Sequence, residues 1–211
     1  MYYSDGQMIV ERVKCGPYDN NAYLVICKET KESIIIDTPM DPKNLITASL
    51  ETTPKTILIT HNHMDHIHGF TEVLEALKTK TGIGQQDAQA LPSDPDFRIC
   101  DGQIFSAGNL KIKAIYTPGH TPGSTCYLVN NQLFTGDTLF PGGPGKTQTP
   151  DNFQQIVQSI TSKLFSLDST IHFHPGHGEG SILSRSISEF EIFKSKSHDK
   201  NLCGDVEWEN S

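Results

Sequence analysis

Apolar positions along the chain fall into short runs broken by turn residues, and the period of each run predicts its element. Met8 to Val13, Ala22 to Ile26 and Ser33 to Asp37 read as three successive strands, a meander. Pro42 to Leu50 places Leu45, Ile46 and Leu50 at helical intervals, and Pro54 closes that segment. Thr56-Ile57-Leu58-Ile59 follows, β-branched and apolar as a buried strand is. Phe70, Val73, Leu74 and Leu77 then repeat at i, i+3, i+4 and i+7, the stripe of an amphipathic helix. From Thr81 to Phe97, Gly82, Gly84, Pro92 and Pro95 predict a short strand, a turn of helix and a loop placed to line a cleft.

The second half repeats this rhythm. Cys100 to Gln103 marks a turn, Leu110 to Tyr116 alternates as a half-exposed strand, and Ser124 to Val129 forms a hairpin with Gln132 to Thr135 across Asn130-Asn131. Thr149-Pro150-Asp151 opens a helix with Phe153, Ile156, Val157, Ile160, Leu164 and Leu167 on one face. A strand from Thr170 to Phe173 and a helix from Ser186 to Lys196 complete the series. The expected organisation is one domain over residues 1–196 and a polar, loosely packed tail over 197–211.

The ends of these strands carry the chemistry. After Ile59 the chain reads Thr60-His61-Asn62-His63-Met64-Asp65-His66-Ile67-His68-Gly69. Two residues apart in extended chain, His61 and His63 point the same way and can reach one ion. Asp65 and His66, past the turn, can face a second. Imidazole and carboxylate without thiolate suit zinc or iron. Three later loops each begin where a strand ends and each add one candidate: His120 in Thr117 to Ser124, Asp137 in Thr135 to Phe140, and His177 in His174 to Gly178. Glycine beside each lets the backbone approach closely. Asp37, ending the third strand before Thr38-Pro39, is either a turn residue or a carboxylate that orients the metal loop. His68, His172, His174 and His198 fall outside the set.

Composition narrows the class. The chain has 211 residues, a formal charge of −8, 36% hydrophobic and 20% charged residues, and a pI near 5.5. That balance is of a folded soluble protein, and it argues against nucleic acid as the main partner. No apolar run approaches the roughly 20 residues of a membrane span and Met1 to Gly6 has no signal pattern, so a cytoplasmic protein with no membrane partner is expected. Cys15, Cys27, Cys100, Cys126 and Cys203 are scattered and odd in number, as reduced thiols are.

The series His61-x-His63-x-Asp65-His66, then His120, Asp137 and His177, resembles the metal-ligand series of the metallo-β-lactamase superfamily, across roughly residues 8 to 190. The resemblance implies an α+β fold, a four-layer αβ/βα sandwich of two mixed sheets flanked by helices, with metals at one edge. It implies that His61, His63 and His120 hold one ion, that Asp65, His66 and His177 hold another, that Asp137 bridges, and that Asp37 supports the site. The implied cofactor is two divalent metal ions, Zn favoured with Fe or Mn open. The implied catalytic residue beyond the ligands is Asp65, as a proton shuttle.

Within the superfamily, Gly119 to Ser124 and Gly136 to Phe140 followed by Gly142-Gly143-Pro144-Gly145-Lys146 look like the glyoxalase II group, which hydrolyses glutathione thioesters. The chain departs from that group in lacking its helical C-terminal extension. Lys146 lies near the position of a basic substrate-binding residue. The expectation is a thioesterase or lactonase acting on a small-molecule acyl substrate, with a homodimer left open. The rival is a persulfide dioxygenase, whose single iron would sit on His61, His120 and Asp137; the Leu139 to Lys146 loop does not carry that branch's motif. Flavodiiron proteins expect Glu at the position of Asn62, and nucleases of the superfamily insert a domain for which this length leaves no room.

Overall fold

The β-branched runs of the first half pair edge to edge. In the computed structural model, which describes residues 1–210, β1 (Tyr3–Ser4), β2 (Met8–Cys15), β3 (Asn20–Cys27), β4 (Glu32–Ile36), β5 (Thr53–Ile59), β6 (Lys80–Gly84) and β7 (Phe97–Ile99) form one sheet in that order. Pairing is antiparallel through β4 and parallel from β4 to β7. Parallel neighbours need crossovers. α1 (Lys43–Leu50) supplies the first, and α2 (Met64–Ile67) with α3 (Phe70–Leu77) supplies the second.

The second sheet holds β8 (Ile104–Ala107), β9 (Leu110–Tyr116), β10 (Thr125–Val129) and β11 (Gln132–Gly136), then, past a small hairpin of β12 (Leu139–Phe140) and β13 (Gly143–Pro144), β14 (His172–Pro175) and β15 (Ser181–Ile182). α4 (Pro150–Ser159) runs on through a π turn at Ile160–Leu164, and α5 (Leu183–Lys194) follows β15. The Thr149 hydroxyl caps α4 by accepting from the Asn152 amide at 3.2 Å, with Pro150 in the first turn as the sequence predicts.

Three apolar layers hold these parts together. Val10, Val25, Ile34, Ile36 and Leu58 of the first sheet meet Ile112, Tyr127, Val129 and Phe134 of the second. Leu24, Ile35, Ile57 and Ile59, on the other face of the first sheet, pack under Leu45, Phe70 and Val73. The outer face of the second sheet is covered by Ile156, Ile160, Leu183 and Phe193. The second half of β5, Thr56–Ile59, is buried on both faces, as a central parallel strand must be. This is the four-layer αβ/βα sandwich. Among the described residues no helix is long and apolar enough to cross a membrane.

Some boundaries differ from the pattern. β3 starts two residues early, at Asn20-Asn21, because amide partners compensate burial: Asn21 Nδ2 donates to the carbonyls of Pro175 and Gly178 at 3.1 and 2.9 Å. α5 begins at Leu183 rather than Ser186, and the late strand is His172–Pro175 rather than Thr170–Phe173. The loosely packed tail is not found. Trp208 is fully buried, its ring 5.8 and 5.3 Å from those of Phe165 and Phe190, and Val206 is buried with it. Thr147 and Gly204 exchange backbone hydrogen bonds of 3.1 and 2.9 Å, and the Trp208 amide donates to the Gly142 carbonyl at 2.8 Å. The polar composition of this segment hid the few apolar residues that anchor it.

His172 and His174 share a strand face but not an environment. His172 is exposed, whereas His174 is buried and donates Nε2–H to Gln132 Oε1 at 2.7 Å. Burial, reinforced by His172 and Arg12, pushes the His174 pKa down to about 3. The unfolded chain therefore takes up this proton below about pH 6.5 while the folded protein resists until about pH 3. Stability falls with pH across that window. Between pH 7 and 4.5 this histidine contributes a loss of roughly 2–3 kcal/mol; denaturant unfolding of His174→Asn should show a correspondingly smaller loss, and identical pH dependence in both proteins would refute the assignment. Trp208→Ala should lower unfolding free energy by about 3–5 kcal/mol, against less than about 0.5 kcal/mol for a residue of a loose tail.

Candidate metal centre

The candidate side chains gather at one edge of the sandwich, in the connections that follow strands and on the short helix α2. Asp37 follows β4, His61 and His63 follow β5, Asp65 and His66 ride on α2, and His120, Asp137 and His177 follow β9, β11 and β14. The structure brings together seven residues proposed from sequence. Ligand atoms of His61, His63 and His120, of His61, His66 and Asp137, and of Asp65, His66 and His177 lie within 4.8 Å of one another in each group. The groups overlap, and Asp137 lies between the other two: its Oδ1 is 3.4 Å from His66 Nε2 and its Oδ2 is 3.7 Å from both His120 Nε2 and His177 Nε2.

Each imidazole except His63 is turned by a partner on its far nitrogen. His66 Nδ1 donates to Asp37 Oδ2 at 2.9 Å, His120 Nδ1 to the Lys146 carbonyl at 2.8 Å, and His177 Nδ1 to the Tyr18 carbonyl at 3.1 Å. The Thr60 hydroxyl donates to Asp37 Oδ2 at 2.8 Å and lies 3.0 Å from His61 Nδ1, from which it accepts. These contacts fix the tautomers and leave Nε2 of all four rings facing inward. His63 instead turns Nδ1 inward, 2.9 Å from His120 Nε2.

Two of the inward-facing atoms lack hydrogen-bond partners. His61 Nε2 and Asp137 Oδ1 are buried with no hydrogen bond. Orphaned buried acceptors cost on the order of 1–3 kcal/mol each, so this cluster is built for an added cation. Charge points the same way. Burial, then the other imidazoles, holds His61 and His63 below the usual histidine range and keeps them neutral donors of electron pairs. Burial opposes charge on Asp137 too, yet His66, His61 and His120 keep its carboxyl ionised. The hydrogen bond from His177 holds the Asp65 carboxyl far below its ordinary value. The carboxylates draw the His66 and His177 pKa values upward against burial, which marks a place where positive charge is wanted; with His61 and His63 neutral beside ionised Asp65 and Asp137, the residues fit a divalent metal.

The backbone shows the same demand. A Cβ on Gly176 would sit 2.4 Å from both Asp137 Oδ1 and His66 Cε1, so only glycine lets the chain leaving β14 pass this close to the cluster. Asp37 has φ of 63°, the left-handed region that costs most residues energy and that Asp tolerates.

Two contributors have no signal in the sequence. Asn20 Nδ2 donates to Asp65 Oδ2 at 2.9 Å. Asp87, buried in the irregular stretch after β6, accepts from the Asn62 amide, the Thr121 hydroxyl and the Gly123 amide at 3.1, 2.6 and 2.8 Å, tying the His61–His63 segment to the His120 loop. Lys146 is placed differently from its expected role: its ammonium pairs with Asp205 at 3.1 Å on the surface, and its carbonyl is what serves His120. His68 is exposed on the wall of a cavity beside Asp65 and His177, and His198 stacks on Phe193 at 3.8 Å.

An αβ/βα sandwich with a His/Asp cluster at one edge defines a class of metal-binding proteins, and comparison with known proteins agrees. Residues 15–177 match the model of the metallo-beta-lactamase superfamily, and the chain belongs to that superfamily. It is 33% identical over 172 residues to the "Probable hydroxyacylglutathione hydrolase glo2" of Schizosaccharomyces pombe, covering 77% of this chain and 65% of that protein. It is 30% identical over 175 residues to the "Probable polyketide biosynthesis zinc-dependent hydrolase BaeB" of Bacillus velezensis, covering 77% and 75%. The solved structure of TTHA1623 in a di-iron-bound form superposes with a TM-score of 0.71 at 28% identity, covering 84% of this chain and 96% of that one.

Asp37→Asn should weaken Zn²⁺ binding about 10- to 100-fold, and His61→Ala should weaken it more, both read by competition with a chromophoric chelator in protein whose circular dichroism is unchanged. An Asp37 variant as damaged as the His61 variant would contradict the view that Asp37 acts through the rings it orients.

Proposed function

We propose that the chain is a metal-dependent hydrolase that cleaves a thioester, or an ester or lactone, of a small acyl compound at a centre of two divalent ions, zinc favoured. The observation that carries the reading is the overlapping set of inward-facing His and Asp atoms, two of them buried without a hydrogen bond, two of whose residues, Asp65 and His177, also line a cavity. The relatives support the rest: one is named for hydrolysis of hydroxyacylglutathione and another for zinc-dependent hydrolysis, and a structural neighbour is described with two irons.

His61, His63 and His120 would hold one ion, Asp65, His66 and His177 a second, with Asp137 reaching both. Bound divalent ions supply an acidified water at neutral pH and a positive charge for a developing oxyanion. The chain's own groups then divide the remaining work. The carbonyls of Lys146 and Tyr18 and the carboxylate of Asp37 hold the rings in register. Asp65 borders both the cluster and the cavity, and its Oδ2 is held by Asn20 at 2.9 Å. In this reading Asp65 would take a proton from the attacking water and deliver it to the departing thiol or alcohol.

Metal analysis by mass spectrometry, paired with an anaerobic assay on a thioester and a lactone, tests the reading. Two ions per chain with oxygen-independent hydrolysis are expected; one iron per chain with oxygen uptake on a persulfide would replace the hydrolase by the dioxygenase. Asp65→Asn should keep the fold and lose at least about a hundredfold in kcat/KM, and full retention of activity would remove Asp65 from the proton path.

A further inference from the structure

The cavity beside Asp65 and His177 has a volume of about 500 Å³, and beyond those two residues it is lined by Tyr18, Met40, Met64 and His68. Three different connections build it: Tyr18 from the β2–β3 hairpin, Met40 from the segment after β4, and Met64 from the first position of α2. Tyr18 and Met64 each keep 65% of their surface in water. Apolar groups held exposed around a concavity that ends in polar atoms mark a ligand site. Methionine's unbranched thioether lets such a wall adapt to a flexible guest.

Charge restricts that guest. No lysine or arginine lines the cavity. The cations on the hairpin side are already paired, Arg12 with Glu179 at 2.8 Å and Lys14 with Asp19 at 2.5 Å, and Lys146 pairs with Asp205. At the inner end Asp65 and His177 face each other at 3.1 Å and belong to the cation site, so neither offers a free charge to a guest. An anionic arm would find no lysine or arginine along the wall, and an amide- or hydroxyl-rich arm would lose hydrogen bonds to water with few in return.

We propose that this cavity receives the acyl chain of the substrate, and that the enzyme selects apolar, uncharged acyl groups over short hydroxyacyl and anionic ones. The inference rests on the thioesterase reading above. Tyr18 and Met64 act as specificity-determining residues: Tyr18 fixes the wall to the cluster through its carbonyl on His177 Nδ1, and Met64 adjoins Asp65 in the chain. The carbonyl carbon then sits over the cluster, the acyl chain runs under Met64, and the thiol arm leaves on the far side.

The test is a series of N-acetylcysteamine thioesters, a neutral thiol carrying acetyl, butanoyl, hexanoyl, octanoyl, lactoyl or succinyl groups, assayed with the metal-loaded protein. We expect kcat/KM to rise by up to about fourfold per added methylene until the cavity is full, with lactoyl and succinyl below butanoyl. Met64→Ser and, separately, Tyr18→Ser should flatten that rise; both side chains are exposed, so folding is spared. Hydrolysis that is indifferent to chain length, or fastest with succinyl, overturns the proposal. Calorimetric binding of the non-hydrolysable S-octyl and S-ethyl thioethers of the same thiol separates the two readings. Tighter binding of S-octyl that Met64→Ser abolishes, without hydrolysis of any thioester, would keep the apolar subsite and overturn the thioesterase; hydrolysis with equal binding of both thioethers would do the reverse.

Discussion

Asp37 accepts hydrogen bonds from the Thr60 amide, the Thr60 hydroxyl and the His66 imidazole, and so ties the end of β4 to the end of β5 and to the single turn of α2. The rest of the site depends on that knot. Through Thr60 it reaches His61, and through His66 it sets the spacing to Asp137 and His177. Its own backbone is held in the left-handed region, a local cost the surrounding hydrogen bonds offset. The cluster above it is a set of groups that repel or desolvate one another unless a cation is shared among them. Support from below and unmet demand from above are two sides of one design, since oriented rings bind metal more strongly than free ones.

Much of this was legible in the sequence because the ligands lie next to elements with strong periodicity. His61, His120 and Asp137 each stand just after a run whose β pattern is clear, so the pattern alone marks the strand ends. Asp87 had no such signal: it lies in a 3₁₀ turn among glycines and prolines, and its partners come from two distant loops. Asn20 was hidden because a polar doublet at the head of an apolar run reads as a turn, whereas tertiary partners make it the first residues of β3. The tail was misread for the opposite reason. Asp199, Lys200, Asn201, Asp205 and Glu207 dominate its composition, and only packing reveals that Val206 and Trp208 decide where it goes.

The metal cluster and the cavity are built from different material. Ligand atoms sit at the ends of strands buried in two packed sheets and move only if the sheets do. The cavity wall is carried by a hairpin tip, a connection and an exposed helical position, none of which contributes to sheet pairing. Side chains there can change with little cost to the core. Chemistry is thereby conserved by architecture while recognition remains free to vary, which fits a superfamily whose members share one fold and differ in what they bind.

The contact between the C-terminal segment and the loop around Lys146 carries the packing of the tail into the metal site. A chain cut after α5 would still hold the strands of both sheets and all seven inward-facing residues. It would lack the Thr147–Gly204 pair and the Trp208 amide on Gly142, the bonds that steady the loop whose carbonyl turns His120. The orientation of His120 therefore leans on the seat of Trp208 between Phe165 and Phe190, and a residue far from the cluster in sequence and chemistry shares in holding one of its rings.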